Sequence, residues 1–348
     1  MNKGLKITLR VLVTIILVVV LLLALVKVGE RIFFTGFFAN ANTEFKIPGL
    51  NDGYIPQGFE KIELEGKTHF LACGYMKNKS SSRVYLLEEN GNILKEVKLF
   101  NEDGGAFTGH AGGLTYQYTD KGNYLYISGS KCLYVFDLDD VLGEDDKATR
   151  IGKYNIATLN ENATEQTEVS PAYCKVFDGY LYCGSFHDQN NGYPTTSNQH
   201  FTKGEITNCS TILKYKLNPD GKFGLSEKPE AVYSTPSTVQ GMTISNGKLF
   251  LSCSWGLSIS KIHVYDLNKI EETELCKTDK AIWNDEYPVY FVGGDNHITT
   301  ISAPPMAEEI VYHNGRIWIM NESACNKYIF GKFTSGNYLY SYNYDTNN

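Results

Sequence analysis

Gln57, His110, Tyr173, Gln240 and the adjacent pair Glu308 and Glu309 carry side chains able to hold or transform a polar molecule. Each stands at or near the start of an alternating apolar segment that ends in a glycine-containing turn. His187, Trp255 and Asn321 stand where the segments returning from such turns end. Amide, imidazole, phenol and indole groups together suit a ligand that needs both hydrogen bonds and a flat apolar face, as a sugar does. His110, in "TGHAGGL", is the best-suited general base, because its ring titrates near neutrality and its glycine neighbours let backbone approach a ligand. Glu308 is the matching candidate acid. Glycoside hydrolysis needs two carboxyl groups facing each other across the bond. Glu308 and Glu309 are consecutive, and consecutive residues of a regular strand point to opposite faces. Only one of them is therefore expected to face the interior.

The elements that position these residues repeat. "TVQGMTISNGKLFLSCSWG" (238–256) has four relatives, at 57–75, 112–130, 172–186 and 308–323. Their turns are Glu65-Gly66, Lys121-Gly122, Asp178-Gly179, Asn246-Gly247 and Asn314-Gly315. Asn-Gly and Asp-Gly between alternating apolar residues are strong hairpin signals, since both central residues need positive φ. A third strand follows each hairpin, and a fourth follows the first four, at 94–100, 150–157, 228–235 and 298–304. The fifth unit runs out of chain after its third strand, while "TEFKIPGL" (43–50) precedes the first hairpin. That segment is expected to complete the last unit and close a ring, leaving few exposed edges. The fold class is thus all-β, a five-bladed β-propeller, preceded by one N-terminal transmembrane helix. Six blades is the alternative, should 281–301 form a degenerate unit.

In such a ring the tight turns share one face. The connections between blades and the loops between second and third strands share the other. Those loops are long at 187–210 and 324–336, and the connections are long at 101–113 and 160–172. The long-loop face is the expected ligand face. Its binding set is Gln57, His110, Tyr173, His187, Gln240, Trp255, Glu308 and Asn321, with His110 and Glu308 as the catalytic candidates. The bland alternative is a water-filled channel that these polar residues merely line.

"IPQGF" and "VQGM" resemble blade starts in YncE-like and lactonase-like propellers, over about a dozen residues. The resemblance implies the propeller fold. Lactonase-type enzymes hold calcium with a glutamate at this motif, and here Gln57 and Gln240 stand in its place. A neutral amide ligates calcium without supplying charge, so calcium is at most a weak cofactor on this reading, and no other cofactor is implied.

The N-terminus reads "MNKGLKITLRVLVTIILVVVLLLALVKVGERIFF". Residues 11–28 are apolar enough to span a bilayer with Lys27 snorkelling. Lys3, Lys6 and Arg10 place residues 1–10 in the cytoplasm. Residues 29–42 then form a linker and 43–348 an extracytoplasmic propeller at the cell membrane. The rival reading is a cleaved signal peptide, with Ala39-Asn40-Ala41 as the nearest cleavage pattern. Phe33, Phe34, Phe37 and Phe38 are expected at the membrane interface. The formal net charge is −7, and no basic run lies beyond the extreme N-terminus, which argues against nucleic acid. Eight cysteines show no C-x-x-C pair and no zinc-type spacing, so no metal site is expected. Cys174 and Cys183 flank a turn and are the one candidate disulfide, with two buried free thiols as the equal alternative. Two functions remain open. One is a membrane-anchored domain binding a glycan-like ligand or a protein partner without catalysis. The other is a cell-surface hydrolase or lyase acting on a glycan or lactone.

Overall fold

The computed structural model describes residues 3–157, 169–277 and 286–344. Among the described residues, the strands other than Phe201–Lys203, Ile206–Asn208, Glu272–Lys277 and Glu286–Phe291 pair as five four-stranded antiparallel units. Unit 1 comprises Tyr54–Leu64, Lys67–Met76, Arg83–Glu88 and Ile93–Phe100. Unit 2 comprises Leu114–Thr119, Gly122–Gly129, Cys132–Asp137 and Lys147–Asn155. Unit 3 comprises Pro171–Phe177, Tyr180–Ser185, Ser210–Leu217 and Leu225–Thr235. Unit 4 comprises Val239–Ser245, Lys248–Cys253, Ser260–Asp266 and His297–Ala303. Unit 5 comprises Ala307–His313, Arg316–Asn321 and Tyr338–Asn343, and its fourth strand is the N-terminal Ala41–Lys46. The first strands of successive units pack side by side, and that of unit 5 packs on that of unit 1. The ring is closed, and the architecture is that of a β-propeller.

The hairpin turns follow their sequence. Glu65, Asp178, Asn246 and Asn314 all have positive φ, as do the glycines after them, the conformation that suits the twist of a hairpin. Unit 2 departs: only Gly122 has positive φ, at +157°, and the Thr119 hydroxyl accepts from its N–H and donates to its carbonyl.

The outer edges of units 1 and 2 join through a short parallel pairing, Lys98–Phe100 with Lys147–Thr149. Residues 281–301 do not make a unit of their own among the described residues. Glu286–Phe291 pairs in parallel with the outer strand of unit 3, and His297–Ala303 is the fourth strand of unit 4. Both parallel pairings cover sheet edges that would otherwise stay open.

Neighbouring units are tied at one recurring position. Cys73 Sγ donates to the Ala111 carbonyl (3.4 Å), Ser128 Oγ to that of Ala172 (2.7 Å), and Ser252 Oγ to that of Ala307 (3.4 Å). Each sits on a second strand opposite a glycine of the first strand: Gly58, Gly113 or Gly241. Unit 3 inverts the arrangement, with Tyr173 opposite Gly184, whose missing side chain leaves room for the phenol ring. Tyr173, expected at the channel mouth, is therefore fully buried between units 3 and 4.

Residues 3–33 form one helix, of which Gly4–Phe33 is long and apolar enough to cross a membrane. A short helix, Thr35–Asn40, leads directly into the closing strand. Phe34 and Phe37 are buried on the ring, with Phe37 stacked on Tyr342 (5.6 Å). Glu30 Oε2 accepts the Ser335 N–H at 2.8 Å. The expectation that all four phenylalanines face the membrane fails for these two, because the ring supplies an apolar seat for them. Cys174 and Cys183 are directly opposite in register, yet both are buried free thiols.

The close approach of first strands sets a testable limit. A Cβ on Gly58 would lie 2.6 Å from Cys73 Sγ and 2.7 Å from the Leu114 backbone nitrogen, whereas one on Gly66 meets only open space at a φ of +73°. Gly58→Ala is expected to cost roughly 3 kcal/mol by overpacking, and Gly66→Ala about 1 kcal/mol through its left-handed backbone. Urea unfolding of the two variants checks this order, and equal losses would contradict it.

Candidate functional site

The first strands of units 1, 3, 4 and 5 carry an irregularity at the same place, between Pro56 and Gly58, Pro171 and Tyr173, Val239 and Gly241, and Ala307 and Ile310. A bulge adds an unpaired residue and re-aims its side chain. The residues so placed are Gln57, Ala172, Gln240 and the pair Glu308 and Glu309. In unit 2 the corresponding place is taken by Gly112, whose N–H donates to the Ser128 carbonyl at 3.1 Å. Strict alternation thus fails at the very position on which the acid argument depended. Both Glu308 and Glu309 are buried, at 2% exposure each, and both turn inward.

Around this ring lies a cavity of about 440 Å³, within the range of small-molecule sites. Gln57, Gln240 and Glu322 contribute its polar floor. One wall carries Phe186, Tyr193 and Trp255, with Tyr193 5.1 Å from Trp255 and Phe186 5.8 Å from it. The facing wall, from units 1 and 5 and the connection into unit 2, carries Tyr75, His110 and Tyr328. His110 stacks on Tyr75 at 4.7 Å and 29°. Lys327 Nζ donates to Tyr75 Oη at 2.5 Å and lies 4.7 Å over the Tyr328 ring. The remaining side is low and made of small residues, among them Gly112, Ser128, Ser130 and Ala172.

Of the residues expected to bind, Gln57, His110, Gln240 and Trp255 line this cavity. Glu308 and Asn321 lie buried behind the floor, and Tyr173 is in the core. His187 is buried at the base of the 187–210 loop, among Thr195 and His200. Sequence reasoning missed Tyr75, Phe186, Glu322, Lys327 and Tyr328. Tyr75, Phe186 and Glu322 occupy one equivalent position, just beyond the pairing partners Gly74, Ser185 and Asn321. The repeat alignment contained that signal, although the three residue types differ.

The carboxyl groups form a buried set held with little net charge. Glu308 and Glu322 hydrogen-bond each other; burial pushes Glu308 well above the usual carboxylate range, and the neighbouring Glu322 charge adds to the shift. Burial likewise raises Glu322, to about 7, against the opposing pull of Lys327 and the hydrogen bond from Gln57. The two behave as one titrating pair that shares a proton. Gln57 Nε2 donates to Glu322 Oε2 at 2.9 Å and to the Pro56 carbonyl at 2.8 Å. Two acceptors at one amide nitrogen fix its orientation. One residue deeper, Glu309 Oε1 accepts the Met242 N–H at 2.8 Å and the Ile310 N–H at 3.2 Å. Its carboxyl fills space left by Gly113 and Gly241. Burial raises its pKa well above the usual value, opposed by Lys175. Deeper again, Lys175 pairs with Glu60 at 2.5 Å.

This donor set does not fit calcium. The ion takes six to eight oxygens, mostly anionic, and here the floor turns an amide N–H toward Glu322 while the two carboxyls nearest the mouth share a proton. The set also lacks the spacing of a glycosidase pair, because hydrogen-bonded carboxyls leave no room for a glycosidic bond between them. His110 is exposed at the rim; desolvation by the protein around it, with the Lys327 charge, lowers its pKa from the usual histidine value.

No family model matches the chain, and no curated protein does. Among solved structures, it is similar to a GH43_1 enzyme from Xanthomonas citri complexed with xylose, at 10% identity and a TM-score of 0.42, over 87% of this chain and 89% of that one. It is similar to the exo-beta-1,3-galactanase of Phanerochaete chrysosporium with galactose, at 10% identity and 0.44, over 86% and 64%. It is also similar to the Aleuria aurantia lectin in complex with alpha-methyl-L-fucoside, at 12% identity and 0.36, over 80% and 73%. These likenesses are distant.

The carboxyl pair predicts a pH dependence. Glu322 rises from an ordinary value of 4.5 to about 7 on folding, so between those values the folded state holds a proton that the unfolded chain has released. Stability is full below about pH 4.5 and falls as pH rises through 7. Each pKa unit is worth about 1.4 kcal/mol, so the melting temperature should drop by several degrees across that window. Glu322→Gln is expected to reduce the slope by the share of this one proton, leaving that of Glu308 and Glu309, and an unchanged slope in that variant would refute the assignment.

Proposed function

We propose that this chain is a five-bladed propeller, anchored in a membrane by its uncleaved N-terminal helix with the ring outside, and that it binds a glycan-like ligand or a glycan-bearing protein partner in the mouth cavity without turning it over. The observation that carries this reading is the cavity itself. Two aromatic walls face each other across a floor of Gln57, Gln240 and Glu322. Aromatic faces receive the apolar face of a pyranose, while amide and carboxyl groups meet its hydroxyls. A buried polar floor that is left unpaired by an apolar ligand would select against one.

One observation favours catalysis as a second reading. A buried carboxyl that titrates near neutrality inside a cavity is suited to general acid or base chemistry. On that reading Glu322, with Glu308 as its proton partner and His110 at the rim, would serve a hydrolase or lyase. The shared proton makes the pair one group rather than two opposed ones, and binding without turnover is the better fit.

The full-length chain, purified in detergent, should bind members of a saccharide panel measured by calorimetry. Trp255→Ala should weaken binding at least about tenfold, the loss of roughly 1.4 kcal/mol of stacking and burial. Product release from the same saccharides that ceases in Glu322→Gln would replace this reading with the catalytic one. The anchor is checked separately by sequencing the mature N-terminus from membranes. It should precede Glu30, since Glu30, Phe34 and Phe37 are seated on the ring. A start near Asn42 would mean that the segment is a cleaved signal.

A further inference from the structure

The loop from 187 to 210 supplies Tyr193 and Pro194 to the cavity wall, and its base gathers a second group of chemically active side chains. His187 follows the second strand of unit 3 closely and is buried; its carbonyl accepts the Thr238 N–H at 3.0 Å. His200 stands just ahead of Phe201, which is buried in the unit 3 core. Cys209 directly precedes the third strand and follows Asn208, whose amide donates to the carbonyls of Ser234 and Val292. All three residues therefore sit on anchored backbone where the loop leaves the sheet and where it returns. One ring nitrogen from each histidine and the Cys209 Sγ lie within 4.8 Å of one another.

Thr195 occupies the middle of this group. Its Oγ1 contacts His187 Nδ1 at 2.8 Å and His200 Nε2 at 3.0 Å, and donates to the Cys209 carbonyl. Its N–H donates to His187 Nδ1 at 3.0 Å. Two imidazole nitrogens are thus already turned toward one point, and one small hydroxyl fills it.

We propose that this cluster is a binding site for a divalent transition-metal ion, zinc or one of like preference, with His187, His200 and Cys209 as its protein ligands. Imidazole and thiolate donors suit such ions and do not suit calcium or magnesium. Bonds of about 2.0 Å to nitrogen and 2.3 Å to sulfur require the three donors to draw in by roughly 1 Å. Rotation of Thr195 about χ1 removes its hydroxyl from the central point, and a turn of the Thr195 peptide takes its N–H off His187 Nδ1 so that this nitrogen can bind the ion. Three protein ligands leave a fourth position open. No short sequence motif marks this site, because the ligands are separated by stretches of loop that the hairpin Phe201–Lys203 with Ile206–Asn208 folds back on itself. The bound ion staples the loop to the sheet directly below Tyr193 and Pro194, and so holds one wall of the cavity in place.

Cobalt(II) is the probe. Full-length chain in detergent is stripped with a chelator under reducing conditions and titrated with cobalt(II). One equivalent should give visible bands of tetrahedral intensity and a thiolate-to-cobalt charge-transfer band, both abolished by added zinc. Cys209→Ser should lose the charge-transfer band, and His200→Ala should weaken cobalt binding by at least about tenfold. Thr195→Ala, which removes the competing hydroxyl, should bind at least as tightly as the parent. Cys132→Ser, at a thiol outside the cluster, should leave the spectrum unchanged. Absence of a charge-transfer band at one equivalent would overturn the proposal, as would a band that survives in both Cys209→Ser and His200→Ala.

Discussion

The pairing of Ala41–Lys46 with Tyr338–Asn343 joins the two ends of the ring, and the position of every other unit depends on it. Unit 5 has only three strands without it, and the outer edge of Tyr338–Asn343 would be open. The Arg316 guanidinium reinforces the seam, donating to the carbonyls of Asn40 and Ser341 and to the Ser341 hydroxyl. Closing a loop of about 300 residues costs roughly 5 kcal/mol of chain entropy. A strand ladder, the Phe37 seat and the Glu30 contact together offset it. Closure also ties the apolar N-terminal helix to folding, because the short helix Thr35–Asn40 that follows it leads directly into the strand that completes the ring.

Once the ring is closed, its centre is narrow, and polar side chains placed there must be satisfied by one another. Three solutions appear in depth order. At the floor of the cavity Glu308 and Glu322 share a proton. Beneath them Glu309 accepts two backbone N–H groups, and burial raises its pKa. Deepest, Glu60 and Lys175 cancel each other's charge. Each avoids an isolated buried charge, whose desolvation would cost several kcal/mol. The cavity above is consequently rich in hydrogen-bonding groups and poor in net charge, a combination suited to a neutral polyhydroxylated ligand more than to a metal or an anion.

The turns and the strand order were legible because they rest on local chemistry. Asn246-Gly247 can only make one kind of tight hairpin, and the missing fourth strand of the last unit was visible as a surplus strand at the front. The bulges were not legible, because a bulge leaves the alternating pattern intact on both sides and shifts only its phase. That one-residue shift moved the unit 3 position from Tyr173 to Ala172; in unit 2, which has no such irregularity, the equivalent position is Gly112, two residues beyond His110. It also turned both members of the Glu308–Glu309 pair inward. Phe34 and Phe37 were read as membrane-facing because their apolar seat on the ring is made of residues at the far end of the chain, Tyr340 and Tyr342 among them.

The repeat builds the floor, and departures from the repeat build the walls. Unit 3 supplies the 187–210 loop, unit 5 supplies Lys327 and Tyr328, and unit 4 supplies Trp255. Unit 2 turns tightly between Gly129 and Cys132 and supplies only small residues there. The cavity is therefore walled on the sides of units 3, 4 and 5 and lowest beside unit 2. A ligand longer than the cavity has one direction in which to extend without meeting an aromatic side chain, across Ser130 and Ser170. On the proposed reading, a terminal sugar seated between Trp255 and Tyr75 would leave the rest of its chain over that sill, because the walls leave no other open side.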